Sequence, residues 1–308
     1  MLGAGANSQA IDACFWQRVL AGISAWQGEA NLISQEHAYW PQIANVLPAI
    51  EKKNTLASVF NSQADKNTNT LSNYVPEYSE SCSTVELISK RRSAQRMELG
   101  EGISKGDFYR MLALAVPTGN RVPFDAFPYS CAVNLLLFVH KVEGLPAGLY
   151  TLIRNVDSFD AFKEACNKTF FWQPVQDCDL PLYCLELSDL RKTASALSCY
   201  QAIAGHSAFS VAMIANIQTI MTEDGAWAYR RLFWEAGLIG QLLYLEALAS
   251  GLSGTGIGCY FDDAVHKLLG LANEGDWQSL YHFTVGKARE DNRLTTYGAY
   301  SHLSETEC

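Results

Sequence analysis

A long apolar stretch, residues 232–252, constrains the fold of this chain most strongly. It is interrupted by Glu235, Gln241 and Glu246, and a carboxylate in a lipid-facing helix costs about 3 kcal/mol on insertion scales. Apolar side chains otherwise occur on every side of the predicted helix, which is typical of a helix surrounded by protein. The stretch therefore predicts a helix buried in a core or in a subunit interface, and it does not predict a membrane span.

The composition sets the class of protein and excludes some partners. The chain has 308 residues, 48% of them hydrophobic, which is enough to bury a full core. Its net charge of −9 comes from 32 acidic and 23 basic residues, so no global positive field attracts a polyanion. We therefore expect neither nucleic-acid nor membrane partners, while a local basic pocket stays open as a possibility.

Cysteine usage and the first residues predict a cytoplasmic protein. The nine cysteines form no CxxC pair and are odd in number, which favours reduced thiols over a disulfide framework or a zinc site. The first seventeen residues contain no Lys or Arg, so the pattern of a secretory leader is absent there. The six histidines have no paired-ligand spacing, and we expect no metal.

The chain divides into two parts at about residue 84. Residues 1–84 contain an amphipathic stretch at 11–26 and a polar run at 61–83, and they predict an N-terminal extension or the tail of a preceding domain. Residues 85–308 predict one dense domain. The pattern there places helices at 84–92, 103–115 (with Ser104 as N-cap), 207–221, 231–250 and 262–271, and strands at 131–142, 149–153, 181–187 and 280–286. Helices and strands alternate without a regular βαβ repeat, which indicates an α+β fold.

Two patterns could bind a ligand. Arg91, Arg92 and Ser93 offer guanidinium and hydroxyl donors that suit a phosphate, although a solvated basic turn is the commoner fate of such a run. The glycines within 251–258 would let the backbone approach a planar ligand, or they form a tight turn between a helix and a strand. The glycine spacing is neither a dinucleotide fingerprint nor a Walker motif, and no GxSxG elbow occurs.

The order of these features resembles the nitroreductase family. The segments that carry the resemblance are 91–97 (RRSAQRM), 143–150 (EGLPAGLY), 235–247, 251–263 and 285–296. The resemblance covers about residues 50–303, and the pattern is most similar to SagB-type dehydrogenases of thiazole and oxazole peptide maturation. The resemblance implies a mostly antiparallel sheet flanked by helices, and a homodimer with FMN held non-covalently at the interface.

The resemblance also assigns roles to residues. It assigns the FMN phosphate and ribityl chain to Arg91, Arg92, Ser93 and Arg293, the isoalloxazine ring to Gly256, Ile257 and Gly258, and a position near the dimer seam to Gln241. Gln95 stands where the family usually has a cation, which predicts weaker phosphate binding. No side chain is assigned a catalytic role, because the flavin supplies the redox chemistry.

The implied function is reduction of FMN by NAD(P)H, followed by electron transfer to a nitroaromatic, quinone or peptide-derived acceptor. Glu223 and Asp224 occupy the places of a Lys-Tyr pair found in azoline-oxidising members, which argues against azoline oxidation. The flavin-lining loop has no clean counterpart at 117–120 or 125–128. A non-catalytic domain that serves a peptide-maturation assembly is therefore the alternative. The aromatic run 170–172 could line a substrate pocket, but core packing is the commoner use of such residues.

Overall fold

The structure is a computed structural model that describes residues 13–25, 28–29, 34–52, 83–117, 122–127, 129–272 and 275–301. The helices are α1 (Ala13–Ala21), α2 (Pro41–Val46), α3 (Thr84–Lys90), α4 (Lys105–Ala115), α5 (Phe159–Ala165), α6 (Arg191–Leu197), α7 (Ala202–His206), α8 (Ile217–Asp224), α9 (Ala228–Ala249) and α10 (Asp262–Leu269). The strands are β1 (Val133–Val139), β2 (Gly148–Leu152), β3 (Gln173–Pro174), β4 (Leu182–Glu186), β5 (Phe209–Asn216), β6 (Ser253–Ile257) and β7 (Trp277–Gly286). All of the predicted linker 61–83 except Ser83 lies outside the described residues.

A single antiparallel sheet organises the domain. Its strand order is β3-β4-β2-β1-β5-β7-β6, and every pairing between neighbours is antiparallel. The predicted hairpin is present as β1 and β2, with Leu137 opposite Tyr150. The α+β prediction with a mostly antiparallel sheet is therefore confirmed.

Apolar side chains cover both faces of the sheet. Along β1, Leu135 and Leu137 pack with α4 and α9 on one face, whereas Leu136 and Phe138 pack with α5, α6 and α10 on the other. Successive side chains of a strand point to opposite faces, so a strand buried on both faces is apolar throughout. This explains the apolar run from Leu135 to Val139 in β1, whose seven residues are all buried and include one polar side chain, Asn134.

Two predictions from local patterns are wrong. The small residues at 207–221 predicted a helix, but the first half forms β5 between β1 and β7, and only the second half is helical as α8. The glycines at 253–258 predicted a turn before a strand, but most of them lie within β6 itself. In contrast, the Ser104 hydroxyl accepts a hydrogen bond from the Asp107 N–H at 3.0 Å, so the predicted N-cap of α4 is confirmed.

The long apolar stretch forms α9, which is buried on one face only. Among the described residues it is the one helix long and apolar enough to span a membrane. Its buried face packs on the sheet and carries two charged residues, Arg231 and Glu235, which pair with Asp224 and Arg154. The other face exposes the aromatic side chains Tyr229, Phe233 and Trp234.

The described part of residues 1–84 contacts the domain through the Lys52 side chain. Lys52 donates to the Tyr129 hydroxyl at 2.9 Å, and its ammonium lies 4.1 Å from the centre of the Trp227 ring. The side chains of α2 are exposed. The predicted boundary near residue 84 stays a prediction.

Candidate cofactor site

The predicted Arg-Arg-Ser motif leads into an extended segment that docks at the edge of the sheet. The Ala94 N–H donates to the Gly254 carbonyl in β6 at 3.1 Å, and the Arg289 N–H, just after β7, donates to the Arg96 carbonyl at 3.0 Å. These backbone bonds bring the motif next to the chain that follows β7. Residues about 200 positions apart in sequence therefore share one site.

A cavity of about 790 Å³ lies between these segments. It is lined by Arg92, Ser93, Ala94, Gln95, Arg96, Ser253, Ala288, Arg289, Glu290, Asp291, Asn292, Arg293, Leu294 and Thr296. Four guanidinium groups therefore face two carboxylates, which gives the cavity a net positive charge in an acidic protein. Of the predicted site residues, the structure brings together Arg92, Ser93, Gln95 and Arg293, and it adds Arg96 and Arg289.

Two of the predicted arginines already have partners. Arg92 donates to the carbonyls of Ser89 and Tyr297 at 2.9 and 3.0 Å, which fixes it at the end of α3. Arg293 contacts Asp291 through two nitrogen atoms, at 2.8 and 2.6 Å. An anion in the cavity would therefore compete with the Asp291 carboxylate for Arg293.

The arginines around Asp291 hold its carboxyl in the charged form. The hydrogen bonds from the Arg293 side chain and backbone, together with the charges of Arg96 and Arg289, lower the pKa of Asp291 to about 2. The carboxylate is therefore ionised throughout the physiological range, and the charge of the cavity does not change there through Asp291.

Tyr244 of α9 joins the predicted phosphate motif to the predicted ring-binding strand. Its hydroxyl accepts a hydrogen bond from the Gly256 N–H at 2.7 Å and shares another with the Ser93 hydroxyl at 2.8 Å. The Arg91 guanidinium lies 4.7 Å from the centre of its ring, a cation–π geometry. Arg91 thus contacts an aromatic ring and does not line the arginine cavity.

Tyr244 also lines a second, apolar groove. The groove has a volume of about 330 Å³ and is lined by Phe233, Ala236, Gly237, Gly240, Gln241, Tyr244 and Tyr281. Gln241 therefore lines this groove, and its place near a dimer seam stays a prediction. Aromatic rings with a few polar atoms can accept a flat, apolar group.

The predicted ring-binding residues have three different environments. At Gly256 a Cβ would collide with the Tyr281 hydroxyl, so a residue of this chain fills the space that the missing side chain leaves. The Ile257 side chain is 2% exposed and belongs to the core on the opposite face. Gly258 has open space around its Cα. Only Gly258 offers an open surface, and Ile257 could contribute only its backbone.

The cysteines depart from prediction at one pair. Cys199 and Cys259 form a disulfide with a Cα–Cα distance of 5.8 Å, so the expectation of reduced thiols throughout is wrong for this pair. A bridge between residues 60 positions apart has no local sequence signature, which is why spacing could not reveal it. Burial raises the pKa of the Cys166 thiol to about 12, as expected of a structural cysteine.

The structure also shows where the remaining candidate residues from the sequence lie. In the described part of the chain no group of three or more His, Cys, Asp or Glu could hold a metal. Phe170 and Trp172 are buried whereas Phe171 is exposed, so two of the three aromatics at 170–172 pack in the core. Glu223 and Asp224 end α8, where Asp224 pairs with Arg231.

Comparisons with known proteins find one family model and several solved structures that are similar to this chain. The model described as Nitroreductase family matches residues 146–287, whereas no curated protein matches the chain. A crystal structure described as a nitroreductase from Anabaena variabilis is similar to this chain, with 22% identity and a TM-score of 0.51. The match covers 67% of this chain and 38% of the length of that protein.

Two further solved structures have lower TM-scores. The NADPH:FMN oxidoreductase of Vibrio harveyi, complexed with NAD+, is 13% identical with a TM-score of 0.41, and the match covers 73% of this chain and 77% of that one. The microcin synthetase McbBCD complex of E. coli is 14% identical with a TM-score of 0.45, and the match covers 80% and 87%. Residues 146–287 are the part of this chain that matches the Nitroreductase family model.

Proposed function

We propose that this chain is an FMN-dependent oxidoreductase. The observation that carries the proposal is a net positive cavity that adjoins an apolar, aromatic groove through the Ser93–Tyr244 hydrogen bond. A flavin mononucleotide has the same two parts, an anionic phosphate and a flat ring system. When bound, FMN supplies two-electron redox chemistry, and the protein supplies position and electrostatics.

Different residues of the chain would bind the phosphate and the ring of the cofactor. Arg96 and Arg289 would hold the phosphate, joined by Arg293 when it exchanges Asp291 for the anion. Guanidinium groups suit this role because they bind phosphate oxygens through paired N–H donors. Tyr244 and Gly258 would border the ring, and the apolar walls of the groove would exclude water from it.

The electron donor, the acceptor and the assembly complete the proposal. We infer that NAD(P)H reduces the cofactor and that an organic acceptor, a nitroaromatic, a quinone or a peptide-derived group, is then reduced. A homodimer would cover the exposed aromatic face of α9, where Phe233 and Trp234 are 38% and 44% exposed. A cytoplasmic location also stays a prediction.

The test is a titration of the purified protein with FMN, followed by the flavin absorbance bands. We expect the wild type to bind FMN, and the double variant Arg96→Ala/Arg293→Ala to bind at least ~10-fold more weakly, since hydrogen bonds to charged groups contribute about 1.5–3 kcal/mol each. Lys192→Ala removes an exposed positive charge of α6, outside the cavity, and should leave affinity unchanged. Equal affinity for all three proteins would contradict the proposed phosphate site.

A non-catalytic role in a peptide-maturation assembly is the second candidate. It is favoured by the existing partners of Arg92 and Arg293 and by the Tyr281 hydroxyl packed against Gly256. This candidate predicts that the wild type takes up no FMN. The same titration therefore decides between the two functions.

A further inference from the structure

The Cys199–Cys259 disulfide joins two segments at the surface of the domain. Cys199 lies in the loop between α6 and α7, whereas Cys259 directly follows Gly258 at the end of β6. We propose that this disulfide is a redox-active site that exchanges with a dithiol while the domain stays folded, and that its state sets the mobility of the chain around Gly258. The proposal does not depend on FMN binding.

Exposure makes this pair accessible to a thiol reagent. Cys259 is exposed and Cys199 half-buried, whereas Cys131, Cys166 and Cys184 are buried. Thiol exchange requires access of the attacking thiolate to a sulfur atom. Cys259 is therefore the sulfur open to attack, and the buried cysteines are protected from the same reagents.

The exchange is balanced with an external dithiol as the reductant. One thiolate of the dithiol attacks Cys259 Sγ, the S–S bond breaks, and Cys199 leaves as a thiolate that takes up a proton. The second thiol of the reagent then attacks the mixed disulfide and releases Cys259. The dithiol ends as a disulfide, and the protein gains two electrons and two protons as two thiols.

Non-covalent contacts would hold the two segments together after the S–S bond opens. The Gln201 side chain donates to the Cys259 carbonyl at 3.3 Å, and the Phe261 N–H donates to the Leu197 carbonyl at 2.8 Å. The rings of Tyr200 and Phe261 are also in contact, with centroids 5.7 Å apart. Reduction should therefore loosen this region without unfolding the domain.

The backbone conformation of the bridged loop favours movement of the loop once the disulfide opens. Cys199 and Tyr200 are consecutive residues with φ of 53° and 59°, a left-handed conformation that is strained for residues other than glycine. An open bridge would let these residues relax, and it would free Cys259 beside Gly258. The state of the disulfide would then change the mobility of the chain around Gly258.

The experiment combines thiol mapping with hydrogen exchange on the full chain without FMN. The protein is treated with dithiothreitol under native conditions, alkylated with iodoacetamide and mapped by mass spectrometry. We expect Cys199 and Cys259 to be alkylated at least ~10-fold faster than Cys131 and Cys166, because the latter react only after local opening. Amides at 198–201 and 257–260 should then exchange several-fold faster, with unchanged circular dichroism.

Two variants make the outcome decisive. Cys199→Ser/Cys259→Ser should show the faster exchange without any reductant, whereas Cys178→Ser, which removes a half-buried unpaired thiol, should behave like the wild type. The proposal is overturned if the pair is alkylated only when the domain unfolds. It is equally overturned if the pair opens and exchange at 257–260 does not change.

Discussion

Two arginine–carboxylate pairs in this domain have the same chemistry and opposite surroundings. Arg154 and Glu235 meet at 2.6 Å with side chains that are 0% and 1% exposed, whereas Arg293 and Asp291 meet at 2.6 Å with Arg293 77% exposed. Glu235 also accepts the Ala132 N–H at 3.0 Å and so joins α9 to the start of β1. Water can replace either partner of the exposed pair, but neither partner of the buried one.

The two pairs differ in whether they stabilise the fold or are available to bind an anion. Breaking a buried pair leaves an uncompensated charge, whereas exposed pairs contribute little to stability. The Arg154–Glu235 pair therefore belongs to the fold, and the Arg293–Asp291 pair is available for exchange with an incoming anion.

The largest effect is expected at the buried pair. Glu235→Ala should lower the free energy of unfolding by about 3–5 kcal/mol, because Arg154 would remain charged and unpaired in the core. Urea denaturation followed by circular dichroism measures this. A loss below about 1 kcal/mol, which is the range of an exposed pair, would show that the buried pair contributes no more to stability than an exposed pair.

Acid should destabilise the interior before it neutralises the exposed site. Burial lowers the pKa of His140 and of His282 to about 4. Since the unfolded chain titrates near 6.5, it binds more protons than the folded chain between these values. The stabilisation is complete above pH 6.5 and is lost as the pH falls toward 4, at up to about 1.4 kcal/mol per pH unit for each histidine.

Thermal unfolding between pH 7.5 and 4.5 measures this loss. Asp291, with its pKa of about 2, stays charged over that range, so the exposed pair persists. A melting temperature that is constant down to pH 5 would contradict the burial of these neutral histidines.

A smaller effect is expected at the junction of the two cavities. Tyr244→Phe keeps the ring beneath Arg91 but removes the acceptor for the Gly256 N–H. The free energy of unfolding should fall by about 1 kcal/mol, and FMN affinity should fall several-fold under the proposed function. Tyr297→Phe, at an exposed tyrosine, is the matched control. If the two variants behave alike, Tyr244 does not join the cavities.

The smallest effect on stability is expected at the exposed pair. Asp291→Ala should leave the free energy of unfolding nearly unchanged, because an exposed pair contributes little to stability. It should also strengthen binding of FMN or inorganic phosphate, because Arg293 loses its competitor, and the gain should shrink with added salt. Calorimetry at low ionic strength measures this, and weaker anion binding by the variant would show that Asp291 orients Arg293 rather than competing for it.

The sequence pattern predicted an element correctly where it was compatible with one kind of secondary structure. It failed where pairing with neighbouring strands decided the secondary structure. The β1–β2 hairpin followed from an apolar run before a Gly-Leu-Pro-Ala-Gly turn. β5 did not, because Ala208, Ala212 and Ala215 have helical spacing yet are fully buried in and beside a central strand. Tertiary packing overrode the local pattern there.

The candidate site was predicted in part for a similar reason. Arg92, Ser93, Gln95 and Arg293 lie together, but Arg96, Arg289, Tyr244 and Tyr281 were missed. The role of Tyr281 becomes visible only when β7 pairs with β6 and places its hydroxyl against Gly256. No spacing of residues in the sequence predicts that contact.

The most direct test of the arginine cavity compares FMN with riboflavin, which has the same ring and lacks the phosphate. Fluorescence titration of the wild type should give a Kd for FMN at least ~10-fold lower than for riboflavin, as expected when charge-assisted hydrogen bonds bind the phosphate. The ratio should approach one in Arg96→Ala/Arg293→Ala. Equal affinity of the wild type for both flavins, or binding of neither, would contradict the proposal that the arginine cavity binds the FMN phosphate.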